Sequence, residues 1–453
     1  MSALARVSDQ IERAALQIAP AATARVLRAL PRSFIAALQR TRFTDTLRLA
    51  AARSPFYREQ FRLRNVDVSR IEHPSQLGDF YTTGEDLRRE GPEAFVIGHP
   101  DTAFETTGTT SPIPKRVFFS NRELDQMGLA SAAALYILGL RREDIVVSAF
   151  DCSFWVSPAI LRSALRFLAC FHVEAGKIEP LEFYNRAIRY RPTVIVGEPS
   201  WIARLSEIAR ERGPWPVKFL VAGGENASEA SRRAVERAWG APLYLNYGQT
   251  EAFGALGLEC RNQQGYHRND LHFVFEIAEP DANGDGELVY TTLTRDVMPL
   301  IRYRSADITR LVDEPCSCGL FTGRVAKIRA RTDELVVCGM GNIAPWVFAD
   351  VQERVPGAGD DWQVSISHNG RCDVVEWSVE ATPETSDVND AVLRALRVAF
   401  PDFWKNLEMK LYELRVTVVP PGSLRQGGRK LRRVIDQRDQ RDQRDQRDLH
   451  DRS

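Results

Sequence analysis

The segment Phe104-Glu105-Thr106-Thr107-Gly108-Thr109-Thr110-Ser111-Pro112-Ile113-Pro114-Lys115 gathers hydroxyls, one glycine and a terminal lysine. It is too polar and too proline-broken for a helix, so it reads as a loop. Such a loop offers backbone N–H groups, side-chain O–H groups and one cation, which suits a polyphosphate. It is not a Walker A loop. The second glycine is missing, and Pro112 and Pro114 deny the helix start that a P-loop feeds.

Other polar clusters follow apolar strands. Gly223-Gly224-Glu225-Asn226 succeeds Phe219-Leu220-Val221-Ala222. Small residues at a strand's carboxyl end let a planar ligand approach the backbone; a tight strand-to-helix turn would use the same residues. Leu245-Asn246-Tyr247-Gly248-Gln249-Thr250-Glu251 supplies an aromatic to stack on a base, a threonine for a phosphate oxygen and a carboxylate for Mg²⁺. A loop with a capping threonine is the alternative. Ile301 to Asp307 is a strand ending in a carboxylate that suits ribose hydroxyls. Arg331-Thr332-Asp333-Glu334 and the basic run Arg429-Lys430-Leu431-Arg432-Arg433 complete the series. A basic run by itself is usually a solvated surface.

The cysteines give a separate constellation. Six residues separate Cys260 from His267, and Cys316-Ser317-Cys318-Gly319 follows downstream. Three thiolates and one imidazole match a tetrahedral structural zinc site. Buried thiols with a Cys-x-Cys turn would look the same. Cys152, Cys170, Cys338 and Cys372 have no such grouping. Phe154 and Trp155 could form an aromatic slot or plain core, and His272, alternating with apolar residues, reads as a strand histidine.

The elements that must position these residues are legible as patterns. Residues 2–62 read as helices, with Leu27, Leu30, Phe34, Leu38, Leu47, Leu49 and Ala50 at helical spacing, and Ser54-Pro55 breaks the run. Ile145 to Phe150, Thr193 to Val196, Lys218 to Ala222 and Leu243 to Tyr247 read as buried parallel strands of an α/β sheet. Ser228 to Trp239 is a helix opened by serine. From Gly284-Asp285-Gly286 the pattern turns β-rich, with strands at Glu287 to Thr292, Leu300 to Tyr303 and Ile308 to Val312. A mixed α+β part follows a boundary near Arg331 to Asp333, with strands at Gln363 to Ser367, Val374 to Val379 and Leu411 to Val419. From Asp436 the chain repeats Asp-Gln-Arg four times, which predicts a disordered, charge-balanced tail.

Composition excludes several classes. The 453 residues are 44% hydrophobic and 26% charged, enough for two or three globular cores. Zero net charge gives no electrostatic case for nucleic acid or an anionic membrane. The best apolar run, Ala130 to Leu140, is too short to span a bilayer. Arg6, Asp9, Glu12 and Arg13 occupy the place of a signal peptide's apolar region. Seven cysteines, an odd and sparse count, predict reduced thiols and a cytoplasmic protein.

The order and spacing of these clusters resemble the adenylate-forming superfamily, and most closely its phenylacetate–CoA ligase family. Ser54-Pro55-Phe56-Tyr57-Arg58 resembles that family's Pro-Phe-Tyr-Arg segment, and Thr82-Thr83-Gly84-Glu85-Asp86-Leu87-Arg88 its Thr-Thr-Lys-Glu-Asp-Leu-Arg. The most specific match is Gly286 to Leu293 with Met298-Pro299-Leu300-Ile301-Arg302-Tyr303-Arg304. Gly341-Asn342-Ile343-Ala344-Pro345 resembles the segment that opens the family's C-terminal domain.

The resemblance implies an α/β fold: an N-terminal helical extension over 1–43, a large domain over 44–330 with α/β sheets and a β-rich subdomain, a small mobile α+β domain over 331–436, and a tail over 437–453. It implies that Thr106, Thr107, Gly108, Thr109, Thr110 and Lys115 embrace the β- and γ-phosphates of ATP. Gly224, Glu225 and Asn226 would border adenine with Tyr247 stacked on it, beside Gly248 and Thr250. Glu251 would hold Mg²⁺, Asp307 the ribose and Arg331 ribose and phosphate; Asp333 would be the hinge and Lys430 the catalytic lysine. Phe154 and Trp155 would line the acyl pocket, and Cys260, His267, Cys316 and Cys318 would hold Zn²⁺, a comparable Cys/His set being carried by some members.

Ser111 and Ala330 stand where the family usually has glycine, but neither departure deletes a charged group. The implied activity is acyl-adenylate formation from ATP and an aryl or arylacetic acid, then thioester formation with CoA. Transfer to a carrier-protein thiol or an amine, AMP transfer to a cofactor, and a homodimer stay open. An inactive nucleotide-binding scaffold is disfavoured by the retained Lys115, Glu251, Asp307 and Lys430.

Overall fold

A computed structural model of the chain describes residue 10 and residues 28–106, 114–225, 227, 229–332, 336–338, 341–343, 345–355, 358–381, 388–425 and 433–438. The first long helix, Arg32–Arg53, turns Ile35, Leu38, Phe43, Leu47 and Ala50 inward at helical spacing. Phe34, expected in that row, is 42% exposed. The face that packs is one residue further on, and it also buries Arg42, whose guanidinium donates to the Leu271 carbonyl. Ser54 and Pro55 end this helix and start the next, Pro55–Leu63. The Ser54 hydroxyl accepts from the Tyr57 amide at 3.3 Å, and Pro55 occupies the first turn, where no amide is needed.

The hairpin β1 (Thr102–Glu105) and β2 (Arg116–Phe119) comes next. The helix Asn121–Leu138 follows, opened by a Ser120/Glu123 capping box and closed by left-handed Gly139. The central sheet then builds up as β3 (Ile145–Ser148), β4 (Phe171–Glu174), β5 (Val194–Gly197), β6 (Phe219–Gly223), β7 (Leu243–Gln249), β8 (Gly254–Glu259) and β9 (Tyr266–Arg268). A second sheet holds β10 (Phe273–Ala278), β11 (Gly286–Thr292) and β12 (Tyr303–Thr309). The short strands β13 (Leu311–Val312) and β14 (Arg324–Val325) return to the central sheet, and β15 (Ala330–Arg331) pairs with β12.

The central sheet has nine strands in the order β13-β14-β9-β8-β7-β6-β5-β3-β4. Its members from β4 to β7 are parallel, as their continuous apolar runs predict, and the rest are antiparallel. β4 escapes the pattern because it lies at the edge and is only half-buried. The β-rich sheet begins at Phe273, before Gly284. Leu300 to Arg302 lead into β12 rather than forming a strand, and Arg310 interrupts the expected run to Val312.

After the two-stranded β16 (Val336–Cys338) and β17 (Gly341–Ile343), the C-terminal sheet contains β18 (Ala358–His368), β19 (Asp373–Ala381), β20 (Tyr412–Val419) and β21 (Val434–Asp436), in the order β20-β19-β18-β21. The helices Pro345–Glu353, Val388–Ala399 and Pro401–Glu408 accompany it. Gln437 and Arg438, placed in the expected tail, are bound to the C-terminal sheet. The Gln437 amide donates to the Ile366 carbonyl at 2.8 Å, and Arg438 pairs with Asp373 at 2.7 Å. No helix among the described residues is long and apolar enough to cross a membrane.

Candidate active site and candidate metal centre

The ends of the hydroxyl-rich loop are fixed by the β1–β2 hairpin. Glu105 pairs with Arg116, the Thr106 amide donates to the Lys115 carbonyl at 3.0 Å, and the Lys115 amide reaches the Thr106 hydroxyl at 3.4 Å. The loop's Thr107, Gly108, Thr109 and Thr110 lie outside the described residues. Lys115 itself forms an ion pair with Glu251, in the turn that follows β7. The Tyr303 hydroxyl, at the start of β12, donates to Glu251 Oε1 at 3.1 Å and accepts from Lys115 at 3.4 Å. Gly84 leaves room for this meeting: a Cβ there would stand 3.3 Å from both Lys115 Nζ and the Tyr303 hydroxyl. Burial pushes the Glu251 carboxyl up, but the Lys115 ammonium and the hydrogen bonds outweigh it and hold the group below its ordinary value. The site therefore keeps a buried, ionised carboxylate against a cation.

A second carboxylate, Asp307 on β12, lies beside it. Asp307 Oδ2 accepts from the Tyr247 hydroxyl at 2.6 Å and from Gln249 Nε2 at 2.7 Å, and Oδ1 accepts from Arg331 at 2.6 Å. Gln249 is held in turn by the Tyr290 hydroxyl at 3.1 Å. Strands β7, β11, β12 and β15 thus bring Tyr247, Tyr290, Asp307 and Arg331 together. The Tyr247 ring lies 5.6 Å from Tyr266, and burial followed by the Asp307 charge raises its phenol well above the ordinary value. Gly248 has a packing reason of its own, since a Cβ there would meet the Gly254 carbonyl at 2.4 Å. Thr250 sits in the turn, its carbonyl accepting from the Phe253 amide at 2.9 Å. Gln249, Tyr290 and Tyr303 are absent from the sequence-derived set, although all three lie inside the quoted motifs, which was the available signal.

The frame behind Glu251 is the buried pair of Arg295 and Glu123, 2.8 Å apart. Glu123 Oε1 also accepts the Asp296 amide at 2.8 Å and the Val297 amide at 3.1 Å. Arg295 donates to the Phe118 carbonyl on β2 and to the Glu251 carbonyl at 3.4 Å, and lies over the rings of Phe119 and Phe253. One guanidinium therefore ties the β1–β2 hairpin to the Glu251 turn.

Gly224 needs its glycine, with φ at +93°. Glu225 turns its carboxylate toward the helix Pro199–Arg212, accepting from the Ser200 amide and hydroxyl at 3.0 Å each. Phe154 is 66% exposed, outside the packed core, and its carbonyl accepts from the Glu105 amide at 2.9 Å. Trp155 occupies the N-cap position of the helix Val156–Leu168 without a side-chain capping bond. His272 is buried, bonded to Asn269 at 2.9 Å, and kept neutral by burial. Asn226, Asp333 and Lys430 lie outside the described residues.

The cysteine constellation does assemble. β8 runs into Cys260, β9 carries His267, and the turn after β13 supplies Cys316 and Cys318. Their four ligand atoms all lie within 4.8 Å of one another. Cys260 and Cys316 sulfurs are 3.7 Å apart, and Cys318 Sγ is 3.2 Å from His267 Nε2. A tetrahedron with Zn–S bonds of about 2.3 Å has an edge of about 3.8 Å. His267 Nδ1 is engaged by the Thr322 hydroxyl at 3.0 Å, leaving Nε2 to face the thiols. Burial lowers the imidazole to about 4, so it is neutral, as a ligand must be. Asn262 donates to Cys316 Sγ from its side chain at 3.2 Å and to Cys260 Sγ from its amide at 3.4 Å, partners suited to thiolates.

A family model described as AMP-binding enzyme matches residues 83–272, and one described as AMP-binding enzyme C-terminal domain matches residues 341–438. The chain is 29% identical over 441 residues to a phenylacetate-coenzyme A ligase of Thermus thermophilus, covering 91% of this chain and 98% of that one. It is 26% identical over 363 residues to a phenylacetate-coenzyme A ligase of Escherichia coli, covering 76% and 82%. Its fold matches a solved 2-hydroxyisobutyryl-CoA ligase, in complex with 2-HIB-AMP and CoA in the thioesterification state, with a TM-score of 0.76 at 20% identity over 94% of each chain. Against the same enzyme in the postadenylation state with 2-HIB-AMP the TM-score is 0.61, over 90% and 91%.

Proposed function

Because the chain belongs to the phenylacetate–CoA ligase family of adenylate-forming enzymes, we propose that the Lys115–Glu251 and Asp307 clusters form its nucleotide site and that its acid is an aryl or arylacetic acid. The enzyme activates a carboxylic acid with ATP as an acyl-adenylate and passes the acyl group to CoA. A carboxylate is a poor acylating agent, so it must first attack the α-phosphate. That attack joins two anions, and fixed cations offset the developing charge. In our reading Lys115 meets the β- and γ-phosphates, Lys430 meets the charge at the reacting centre, and Asp307 binds the ribose hydroxyls. Tyr247, Gly224, Glu225 and Asn226 border the adenine.

The observation that carries this assignment is the meeting of Lys115, Glu251 and Tyr303 beside Asp307. It pairs a phosphate-loop cation with an ionised, buried carboxylate next to a sugar-binding one. Such a hard oxygen donor suits Mg²⁺, and Glu251 would hold it; when bound, the ion supplies positive charge to the phosphates. Lys115, paired with Glu251 in this structure, would turn its ammonium to the phosphates.

The small domain begins in this reading near Arg331, with Asp333 as hinge. Supporting it are the separate C-terminal family match and the unequal TM-scores to two states of one relative. The described arrangement then corresponds to the thiol-accepting state. Cys260, His267, Cys316 and Cys318 hold one structural Zn²⁺, supported by their ligand chemistry and spacing. The test is a carboxylic-acid panel screened for ATP–pyrophosphate exchange, with and without CoA. Acid-dependent exchange, with AMP release completed only by CoA, is expected. Exchange that no acid elicits would remove the ligase reading; AMP release indifferent to CoA would redirect it to another acceptor.

A further inference from the structure

The carboxyl ends of four neighbouring parallel strands carry a charged cluster of which the nucleotide reading above uses Glu225 alone. Asp151 follows β3, Lys177 follows β4, Glu198 follows β5 and Glu225 follows β6. These strands continue the sheet away from β7, which carries Tyr247 and leads to Glu251. Ligands of open α/β sheets bind outside the carboxyl ends of the strands, and this row lies along that edge of the sheet.

Lys177 and Glu198 are the sealed members, with 4% and 5% of their side chains exposed. Glu198 occupies the N-cap of the helix Pro199–Arg212, yet its side chain makes no capping bond; Glu225 takes that role through Ser200. Glu198 Oε2 accepts no hydrogen bond from any described residue. The Lys177 ammonium stands 3.4 Å from it, near enough for charge attraction but without a well-formed hydrogen bond. A Cβ on exposed Gly224 would lie 3.7 Å from Glu198 Cγ, so the Glu198 side chain packs directly beneath an exposed glycine. Burial pushes Glu198 up to about 7, with Lys177 opposing and Asp151 adding to the rise, and burial together with Glu198 pushes Glu225 up to about 8. A buried acceptor whose neighbouring donor is poorly placed is costly to keep.

Resting on the ligase reading above, we propose that Lys177 and Glu198 form the floor of the acid pocket and select an acid bearing a hydroxyl remote from its carboxylate. A hydroxyl donates its hydrogen to Glu198 Oε2 while its oxygen accepts from Lys177 Nζ. An ammonium would satisfy Glu198 but confront Lys177. A second carboxylate would satisfy Lys177 but confront Glu198, Glu225 and Asp151. A hydrogen or methyl leaves both groups unmet, and sites built to bind a hydroxyl discriminate strongly against analogues that lack it.

The test uses matched acids with the full chain: phenylacetate against 3- and 4-hydroxyphenylacetate, benzoate against 3- and 4-hydroxybenzoate, and hexanoate against 6-hydroxyhexanoate. In pyrophosphate exchange, kcat/KM for at least one hydroxylated member should exceed its parent by on the order of 10- to 100-fold. Glu198→Gln and Lys177→Met should each shrink that ratio at least threefold (~0.6 kcal/mol). No hydroxyl preference in any pair, or a preference untouched by both substitutions, overturns the proposal while leaving the ligase reading intact. Exchange with no acid whatever overturns the ligase reading and this inference with it. Should both variants fail to fold, the wild-type chain decides. The hydroxylated acyl-sulfamoyl adenosine must raise its melting temperature more than the unsubstituted one, and equal shifts overturn the proposal.

Discussion

Glu251 and Lys115 show how much one side-chain meeting decides. Each belongs to a motif visible in the sequence, but the two motifs lie far apart in the chain, and only the fold makes them an ion pair. Glu251→Gln keeps the shape and the Tyr303 contact while removing the charge. We expect adenylate formation to fall by about 10²-fold or more, read in a single-turnover assay. A wild-type rate would remove Glu251 from the nucleotide site.

The carboxylates of the other cluster predict a pH dependence of stability. The folded-state value of Glu198, about 7, lies above its ordinary 4.5, with Lys177, Asp151 and Glu225 around it. A carboxyl whose folded value is raised binds its proton more tightly in the folded chain. Its contribution to stability is therefore full below about pH 4.5 and declines as pH rises toward 7. Glu198→Gln should flatten that decline, by on the order of 2–3 kcal/mol at most, in denaturant titrations across this range. Lys177 and Glu198 escaped the sequence reading because each is one charged residue at a strand end, with its partner on another strand.

Elements carry the site through a few buried tethers. Arg295 joins β2, the Glu251 turn and the cap of the helix Asn121–Leu138 through Glu123. Removing one partner of such a buried pair leaves an uncompensated charge, so Arg295→Ala should cost about 3–5 kcal/mol in chemical denaturation. An unchanged midpoint would mean that the hairpin and the turn are held elsewhere. The proposed zinc acts at the same scale, tying β8 and β9 to the turn after β13. Purified protein should contain about one zinc per chain, and Cys316→Ser with Cys318→Ser should release it and lower the melting temperature. Metal-free protein with unaltered melting would return these residues to ordinary packing. The parallel strands were legible because strands covered on both faces are continuously apolar; β4, half-buried at the sheet edge, gave no such run.

At the scale of the whole molecule, the C-terminal sheet touches the large sheet's helices through Arg371. Between β18 and β19, Arg371 Nε donates to both oxygens of Glu207 on the helix Pro199–Arg212, at 3.0 and 3.2 Å. If this arrangement is the thiol-accepting one, Arg371→Ala should slow thioester formation several-fold and spare pyrophosphate exchange. Lys430→Ala should do the reverse, lowering exchange by about 10²-fold while a supplied acyl-adenylate is still converted. Parallel losses in both half-reactions for both variants would contradict a two-state small domain. The sequence by itself determined the ligand chemistry and the run of local elements: a hydroxyl-rich loop ending in Lys115, apolar strands that must be buried, capped helices, and thiols with one imidazole. Those properties reside in neighbouring residues, where covalent spacing fixes what is close. Only the tertiary structure decided that Asp307 would be shared by Tyr247, Gln249 and Arg331, that Cys260 would meet Cys316, and that Lys177 would face Glu198. Those pairs depend on strand order, and strand order is set by how distant apolar faces pack, which no local pattern encodes.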